Sequence, residues 1–203
     1  MSCGIRCRIE PANHWPKSLH WLTMRNMTSS WTAPTADRLD PDRIAGERES
    51  LEQWLDYQRA TLLQKCSGLT AEQLCLKSIP PATMSLIGLV RHMNDVERWW
   101  FRINVGEEDV SNQFWSDDNP DGDFDDVAPD TAEVDLAAFH DEIAAAKAAV
   151  ADRGLDDVVP GRGHHGKQSR DVRWIYVHMI EEYARHNGHA DLLRELIDGS
   201  TGD

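Results

Sequence analysis

Four long stretches of this chain repeat apolar residues at helical spacing, and segments rich in glycine, proline and aspartate separate them. The stretches cover residues 40–68, about 83–104, 131–154 and about 169–197. This spacing is typical of amphipathic helices, and no segment has the period-two alternation of a confident strand. The pattern predicts an all-α fold, a four-helix bundle whose helices are joined by long crossover loops.

Capping residues indicate where these helices begin and end. Asp40, which a proline follows, is the expected N-cap of the first helix, and Gly68 is its expected end. The second helix is expected to begin near Thr83. Ser169 is the expected N-cap of the last helix.

The size and charge of the chain limit its organisation and its partners. Its 203 residues suffice for one bundle, residues 40–198, preceded by an N-terminal extension, residues 1–39, that is either partly disordered or docked. The net charge of −14 argues against nucleic-acid and anionic-membrane partners. No apolar run approaches the ~18 residues of a membrane span, and no signal peptide is recognisable, so a cytoplasmic protein is expected.

The four cysteines show neither a CxxC pair nor zinc-ribbon spacing. Cys3 and Cys7 fall in the N-terminal extension. Cys66 and Cys75 could approach each other, but free buried thiols in a reducing cytoplasm are the favoured interpretation.

The last predicted helix carries a polar cluster within its apolar stripe. A helix turns ~100° per residue, so with Glu182 at zero His186 lies at about +40°, His189 at about −20° and His178 at about −40°. Asn187 falls on the opposite side and is expected to be solvated. The apolar residues of the Glu182 sector are Ile175, Met179, Leu193, Leu196 and Ile197. The cluster is therefore expected in the middle of the buried face.

On the second helix, His92 lies in a similar apolar stripe. A lone core histidine is more often structural than a ligand, but burying Glu182 beside imidazoles requires a compensating charge. A protonated His186 could supply that charge as an ion pair. A divalent metal bound by His92, Glu182 and His186 supplies it better. Such a set of three ligands keeps positions open for water or substrate, as catalytic metal sites do.

Two segments, SLIGLVRHMNDVERWWF and RWIYVHMIEEYARHNGHADLLRELIDG, resemble the DinB/YfiT-like superfamily, specifically an actinobacterial branch of unassigned function. The resemblance covers about residues 40–198. It implies a four-helix bundle, commonly dimeric, that holds a divalent metal with one histidine of the second helix and two ligands on the last. Those positions are His92, Glu182 and His186 here. The related mycothiol-dependent maleylpyruvate isomerase also has glutamate at the position of Glu182, where histidine is the common residue, which favours a thiol-transferase-like branch.

This resemblance implies a metal-dependent S-transferase or isomerase, with a mycothiol-like thiol and a small electrophile as partners and a homodimer as the assembly. Zn²⁺ is the first expectation, with nickel or iron as alternatives for two histidines and one carboxylate. His189 is a predicted catalytic group, with a fourth ligand or a residue behind the ligands as the alternatives. Other functions left open are a hydrolase that uses the metal to activate water, and a non-catalytic metal-binding dimeric scaffold.

Other polar residues have weaker assignments. Asp95 is a predicted catalytic helper, as are Glu97 and Tyr183, although surface ion pairs and packing are the alternatives for all three. Arg162 and His165, in the loop GRGHHGK, are predicted to meet an anionic substrate. That loop lacks the hydroxyl residue after its lysine that a phosphate-binding loop requires.

The segment DDNPDGDFDD imitates a calcium-binding loop. Its twelfth position is Ala128 instead of the bidentate glutamate that such loops use. A solvated acidic turn is therefore the favoured interpretation.

Overall fold

A computed structural model describes residues 31–162 and 168–202 of the protein. Within them the chain is mainly helical, which confirms the all-α class. The N-terminal extension lies outside the described residues as far as residue 30. The helices are α1 (Glu47–Cys66), α2 (Ala71–Leu74), α3 (Leu86–Glu97) with a π-helical continuation (Arg98–Val105), α4 (Gly122–Asp125), α5 (Ala132–Val150) and α6 (Val172–Asp198).

A small β-ribbon was not expected from the sequence. Strands β1 (Val158–Val159) and β2 (Arg170–Asp171) pair antiparallel just before α6. Each has only two residues, which is too short to show a period of two in the sequence. The ribbon brings the ends of the loop between α5 and α6 together.

The first helix begins later than its capping signal predicted. Gly46 is the N-cap residue, and Asp40 lies in a non-helical segment before it. The side chain of Gln53 holds that segment, because its Oε1 accepts from the backbone N–H of Asp42 at 2.7 Å and its Nε2 donates to the Asp42 carboxylate at 3.1 Å. Ile44, in the same non-helical segment, is 95% exposed.

The structure also locates the N-caps of α3 and α6. Helix α3, expected to begin near Thr83, is capped by Ser85, whose side chain accepts a hydrogen bond from the Gly88 N–H at 3.1 Å. Asp171, not Ser169, caps α6 by accepting from the Trp174 N–H at 2.7 Å. In both cases the cap is the residue whose side-chain oxygen reaches the free N–H of the first helical turn.

The helices pack around α3. Helix α1 packs against α6, α5 packs against α3 and its π-helical continuation, and α3 also contacts α6. Of the residues of α3, only His92 and Val96 are partly exposed.

Among the described residues, no helix has the length and apolar character needed to cross a membrane. The core side chains with no exposed surface include Leu55, Leu62, Leu89, Met93, Phe101, Phe139 and Met179.

Buried ion pairs connect these helices. The Arg59 guanidinium donates to both carboxylate oxygens of Glu97, each at 2.7 Å, and the Tyr183 hydroxyl donates to Glu97 Oε1 at 2.7 Å. Burial raises the pKa of Tyr183 well above its usual value, and the negative charge of Glu97 raises it further. The hydroxyl of Tyr183 therefore stays protonated. This arrangement favours the packing alternative for Glu97 and Tyr183 over a role in acid–base chemistry.

Candidate metal centre

The structure brings together the three residues predicted as metal ligands. His92 comes from α3, and Glu182 and His186 lie one turn apart on α6. The rings of His92 and His186 have their centroids 4.7 Å apart, and His186 Nε2 lies 3.6 Å from Glu182 Oε2. The ring of His189 lies 5.4 Å from that of His186. The three side chains therefore lie close together on two helices, although their ligand atoms do not all lie within 4.8 Å of one another.

This group lies beside the buried face of α6, not in its middle as predicted. The buried line of α6 runs through Met179, Tyr183 and Ala190, about 80° around the helix from Glu182. Asn187, expected in solvent, is buried because its amide donates to Gln58 Oε1 at 2.7 Å. Leu196, expected in the core, is 61% exposed. Helix α1 packs against the side of α6 that carries Met179, Tyr183 and Ala190. The side of α6 that carries Glu182 therefore stays accessible.

A pocket of about 370 Å³ opens on that side. Its polar wall includes His92, His178 and Glu182. The remainder is largely aromatic, and its rings belong to Trp99, Trp100, Trp115 and Phe124. A concave, mostly apolar site with a few converging polar groups is the usual form of a small-molecule site.

The electrostatics of His186 suit a metal ligand. Burial, reinforced by the neighbouring imidazoles of His92 and His189, lowers the pKa of His186 to about 4. The ring is therefore neutral at pH 7, and neutral imidazole is the form that binds metals. The Nδ1 atoms of His186 and His189 are buried, with no hydrogen-bond partner among the described residues.

A second grouping of donors shares Glu182. Its Oε1 lies 3.7 Å from His178 Nε2, and His178 Nδ1 lies 3.9 Å from Glu181 Oε2. Ligand atoms of these three residues lie within 4.8 Å of one another, close enough for one ion. However, Glu181 is exposed and pairs with Arg185, and the His178 ring stacks on Trp174. Sequence reasoning placed His178 near the cluster but did not include it as a ligand.

Sequence reasoning missed Asp123, which contacts a predicted ligand. Asp123 is 4% exposed, and its Oδ2 lies 2.8 Å from His92 Nδ1. The expectation of a solvated acidic turn is therefore wrong for this residue. The acidic segment returns to α3 through a tertiary contact, which local spacing does not reveal.

Asp95 lines the pocket but is occupied by backbone hydrogen bonds. Its Oδ1 accepts from the Gln113 N–H, and its Oδ2 accepts from the N–H groups of Phe114 and Trp115, all at 2.8 Å. This geometry gives Asp95 an anchoring role in the pocket wall. The catalytic role predicted for it remains a prediction.

Of the basic loop GRGHHGK, the structure describes Gly161 and Arg162. Arg162 pairs with Glu107 at 3.1 Å, and both side chains are exposed. His165 lies outside the described residues. The predicted contact of these two residues with an anionic substrate therefore stays a prediction.

A family model for mycothiol-S-transferase matches residues 50–199, which is well over half of the chain. The chain belongs to the mycothiol-S-transferase family. This is a DinB/YfiT-like family, so the resemblance seen in the sequence is confirmed. No curated protein matches the chain.

The mycothiol-S-transferase match spans both helices that carry the candidate ligands. The donors of this family member suit a borderline divalent metal, because they combine two imidazoles with one carboxylate. The 3.6 Å approach of His186 Nε2 to Glu182 Oε2 is consistent with side chains arranged around a cation.

Proposed function

We propose that the protein is a divalent-metal-dependent S-transferase that joins a mycothiol-like thiol to a small electrophile. The observation that carries the proposal is the proximity of His92, Glu182 and His186, the first two of which line an aromatic pocket. The family match supports the thiol as a substrate.

In this proposal His92, Glu182 and His186 hold the metal, with Zn²⁺ as the first candidate. A bound divalent metal would lower the pKa of a thiol and so favour its reactive thiolate. The carboxylate of Glu182 would offset part of the cation's charge, and three protein ligands would leave coordination positions for a substrate. His189, whose ring lies 5.4 Å from that of His186, is the proposed acceptor of the thiol proton.

The pocket wall determines where the electrophile lies. Trp99, Trp115 and Phe124 offer apolar surface beside the donors, which favours an apolar or aromatic electrophile and limits access of water. A bond forms between the thiol sulfur and the electrophilic carbon, and the leaving group departs with the electrons of the bond that breaks. The anchoring of residues 113–115 by Asp95 keeps this wall in place.

The protein's own described cysteines do not suit the role of nucleophile. Cys66 is fully buried, and burial raises its pKa to about 12. Burial likewise raises the pKa of Cys75 to about 11. Since thiolates are the reactive form of cysteine, both side chains are inert near pH 7. A small-molecule thiol is the better candidate for the attacking sulfur.

The proposed activity is tested by following thiol consumption. Purified protein is loaded with Zn²⁺ and mixed with mycothiol and an aryl or alkyl halide, and free thiol is measured over time. The wild type and a His140→Ala control, which changes an exposed histidine of α5, should consume the thiol. His92→Ala and His186→Ala should not. If the wild type consumes neither mycothiol nor other bacterial thiols with any electrophile, the proposal fails.

The type of helix bundle, the assembly and the cellular location belong to the same proposal. The packing of α1 on α6 and of α3 on α5 supports a four-helix bundle for the long helices. A homodimer in the cytoplasm is the assembly and location that we propose.

A further inference from the structure

The acidic segment between α3 and α5 turns back onto α3 at the candidate metal centre. Helix α4 lies in this segment and packs against α3. Most of its neighbouring acidic side chains are exposed, yet Asp123 is 4% exposed. A buried carboxylate needs hydrogen-bond donors, so the partners of Asp123 identify its role.

Asp123 uses its two oxygens differently. Oδ1 accepts from the backbone N–H of Phe124 at 3.0 Å, within the same turn. Oδ2 lies 2.8 Å from Nδ1 of His92. An ionised carboxylate can only accept hydrogen bonds, so Nδ1 of His92 carries the proton in this contact. In that tautomer the lone pair is on Nε2, the nitrogen that can bind a metal.

Phe124 holds the same ring from another direction. Its ring stacks on that of His92, with centroids 5.5 Å apart and planes inclined by 29°. This contact needs Gly88, one turn before His92 on α3. A Cβ at position 88 would lie 2.8 Å from Phe124 Cδ1 and 3.4 Å from the Asp123 carbonyl oxygen. The missing side chain of Gly88 therefore allows α4 to approach α3.

We propose that Asp123 is a positioning residue that fixes the tautomer and the orientation of His92, so that Nε2 is presented to the metal together with Glu182 and His186. The inference rests on the proposed metal-dependent function. Carboxylates that bind the second nitrogen of a ligand histidine raise the basicity of the ligand and restrict its ring. The acidic segment thus contributes to the metal centre through His92 and does not bind the metal directly.

The first test is metal affinity. Zn²⁺ is titrated into metal-free protein in competition with a chromophoric chelator. Asp123→Asn and Asp123→Ala should bind Zn²⁺ about 10–100-fold more weakly than the wild type, which is the usual effect of removing such a partner. Asp125→Asn is the matched control, because Asp125 is exposed and its side chain pairs with Lys77 at 3.4 Å, away from His92. Unchanged affinity in folded Asp123 variants overturns the inference.

A second measurement requires no change to Asp123. In metal-free wild-type protein labelled with ¹⁵N-histidine, NMR correlations between ring protons and nitrogens report the tautomer of each neutral ring. A His92→Gln spectrum assigns the signal of His92. The proposal expects the proton on Nδ1, and a proton on Nε2 overturns it even where the Asp123 variants do not fold.

The two proposals can fail separately. If the wild type binds no divalent metal, the proposed function fails, and the inference that rests on it falls too. If the wild type binds Zn²⁺ and His92→Ala does not, but both Asp123 variants bind it as well as the wild type, only the inference fails. Gly88→Ala provides an independent check, since displacement of α4 should weaken Zn²⁺ binding with Asp123 and His92 both present.

Discussion

Glu182 Oε2 lies 3.6 Å from His186 Nε2, one helical turn along α6. The other oxygen of Glu182 lies 3.7 Å from His178 Nε2. One carboxylate therefore joins two groupings of donors, and the choice between them decides which histidine would bind the proposed metal. His186 faces His92 on the neighbouring helix, whereas His178 stacks on Trp174. The His178 grouping has its ligand atoms within 4.8 Å of one another, but it lies on one helix and includes the exposed Glu181, so the contact between two helices favours His186.

His178→Ala should therefore retain Zn²⁺ binding, because the proposed ligand set excludes His178. A competition titration against a chelator measures this, and His186→Ala serves as the variant expected to lose binding. The opposite pattern, with loss in His178→Ala and retention in His186→Ala, would move the site to the His178, Glu181 and Glu182 grouping.

Replacement of Glu97 should strongly destabilise the protein. Glu97→Gln leaves the buried Arg59 charge without its main partner, and breaking such a buried pair costs about 3–5 kcal/mol. Urea denaturation followed by circular dichroism measures the free energy of unfolding. Glu195→Gln, an exposed change on α6, is the control and should have little effect. A loss no larger than that of the control would contradict the structural role assigned to the pair.

Asp95→Ala should release the pocket wall. Three backbone N–H groups lose their acceptor, and we expect a loss of about 2–4 kcal/mol in the free energy of unfolding, since bonds to charged groups contribute about 1.5–3 kcal/mol each and do not simply add. Hydrogen exchange should show lower protection at Gln113, Phe114 and Trp115. Asp109→Ala, an exposed change in the same loop, is the control. Unchanged protection at these three amides would argue against the anchoring role.

Cys66 and Cys75 should react slowly with alkylating reagents in the folded protein. Burial raises their pKa values to about 12 and about 11, so both are protonated near pH 8 and their reactivity should rise as the pH increases. Rates are measured by mass spectrometry in a Cys3→Ser/Cys7→Ser background, with urea-unfolded protein as the reference. Rapid labelling of either cysteine at pH 8 would reopen the question of a protein nucleophile.

The sequence predicted the helices and the candidate ligands better than it predicted their surroundings. Helical periodicity located α1, α3, α5 and α6, and i, i+4 spacing placed Glu182 beside His186. The same periodicity did not give the buried direction of α6, because residues such as Asn187 become buried through contacts with another helix. A prediction from apolar character alone therefore placed the core-facing side of α6 incorrectly.

Contacts made by loops were the least predictable. The bond between Asp123 and His92 requires the acidic segment to return to α3, a contact between residues 31 positions apart. Local composition indicated only an acidic turn. The start of α1 shows the same limit, since Asp40 has the residue type of an N-cap but Gln53 binds the neighbouring segment in a non-helical form.

The metal content of purified protein tests the central claim most directly. Elemental analysis of the wild type, His92→Ala, His186→Ala and the His140→Ala control gives the amount of divalent metal per chain. The account predicts a stoichiometric metal in the wild type and in His140→Ala, and its loss in the other two variants. Equal metal content in all four proteins would contradict it.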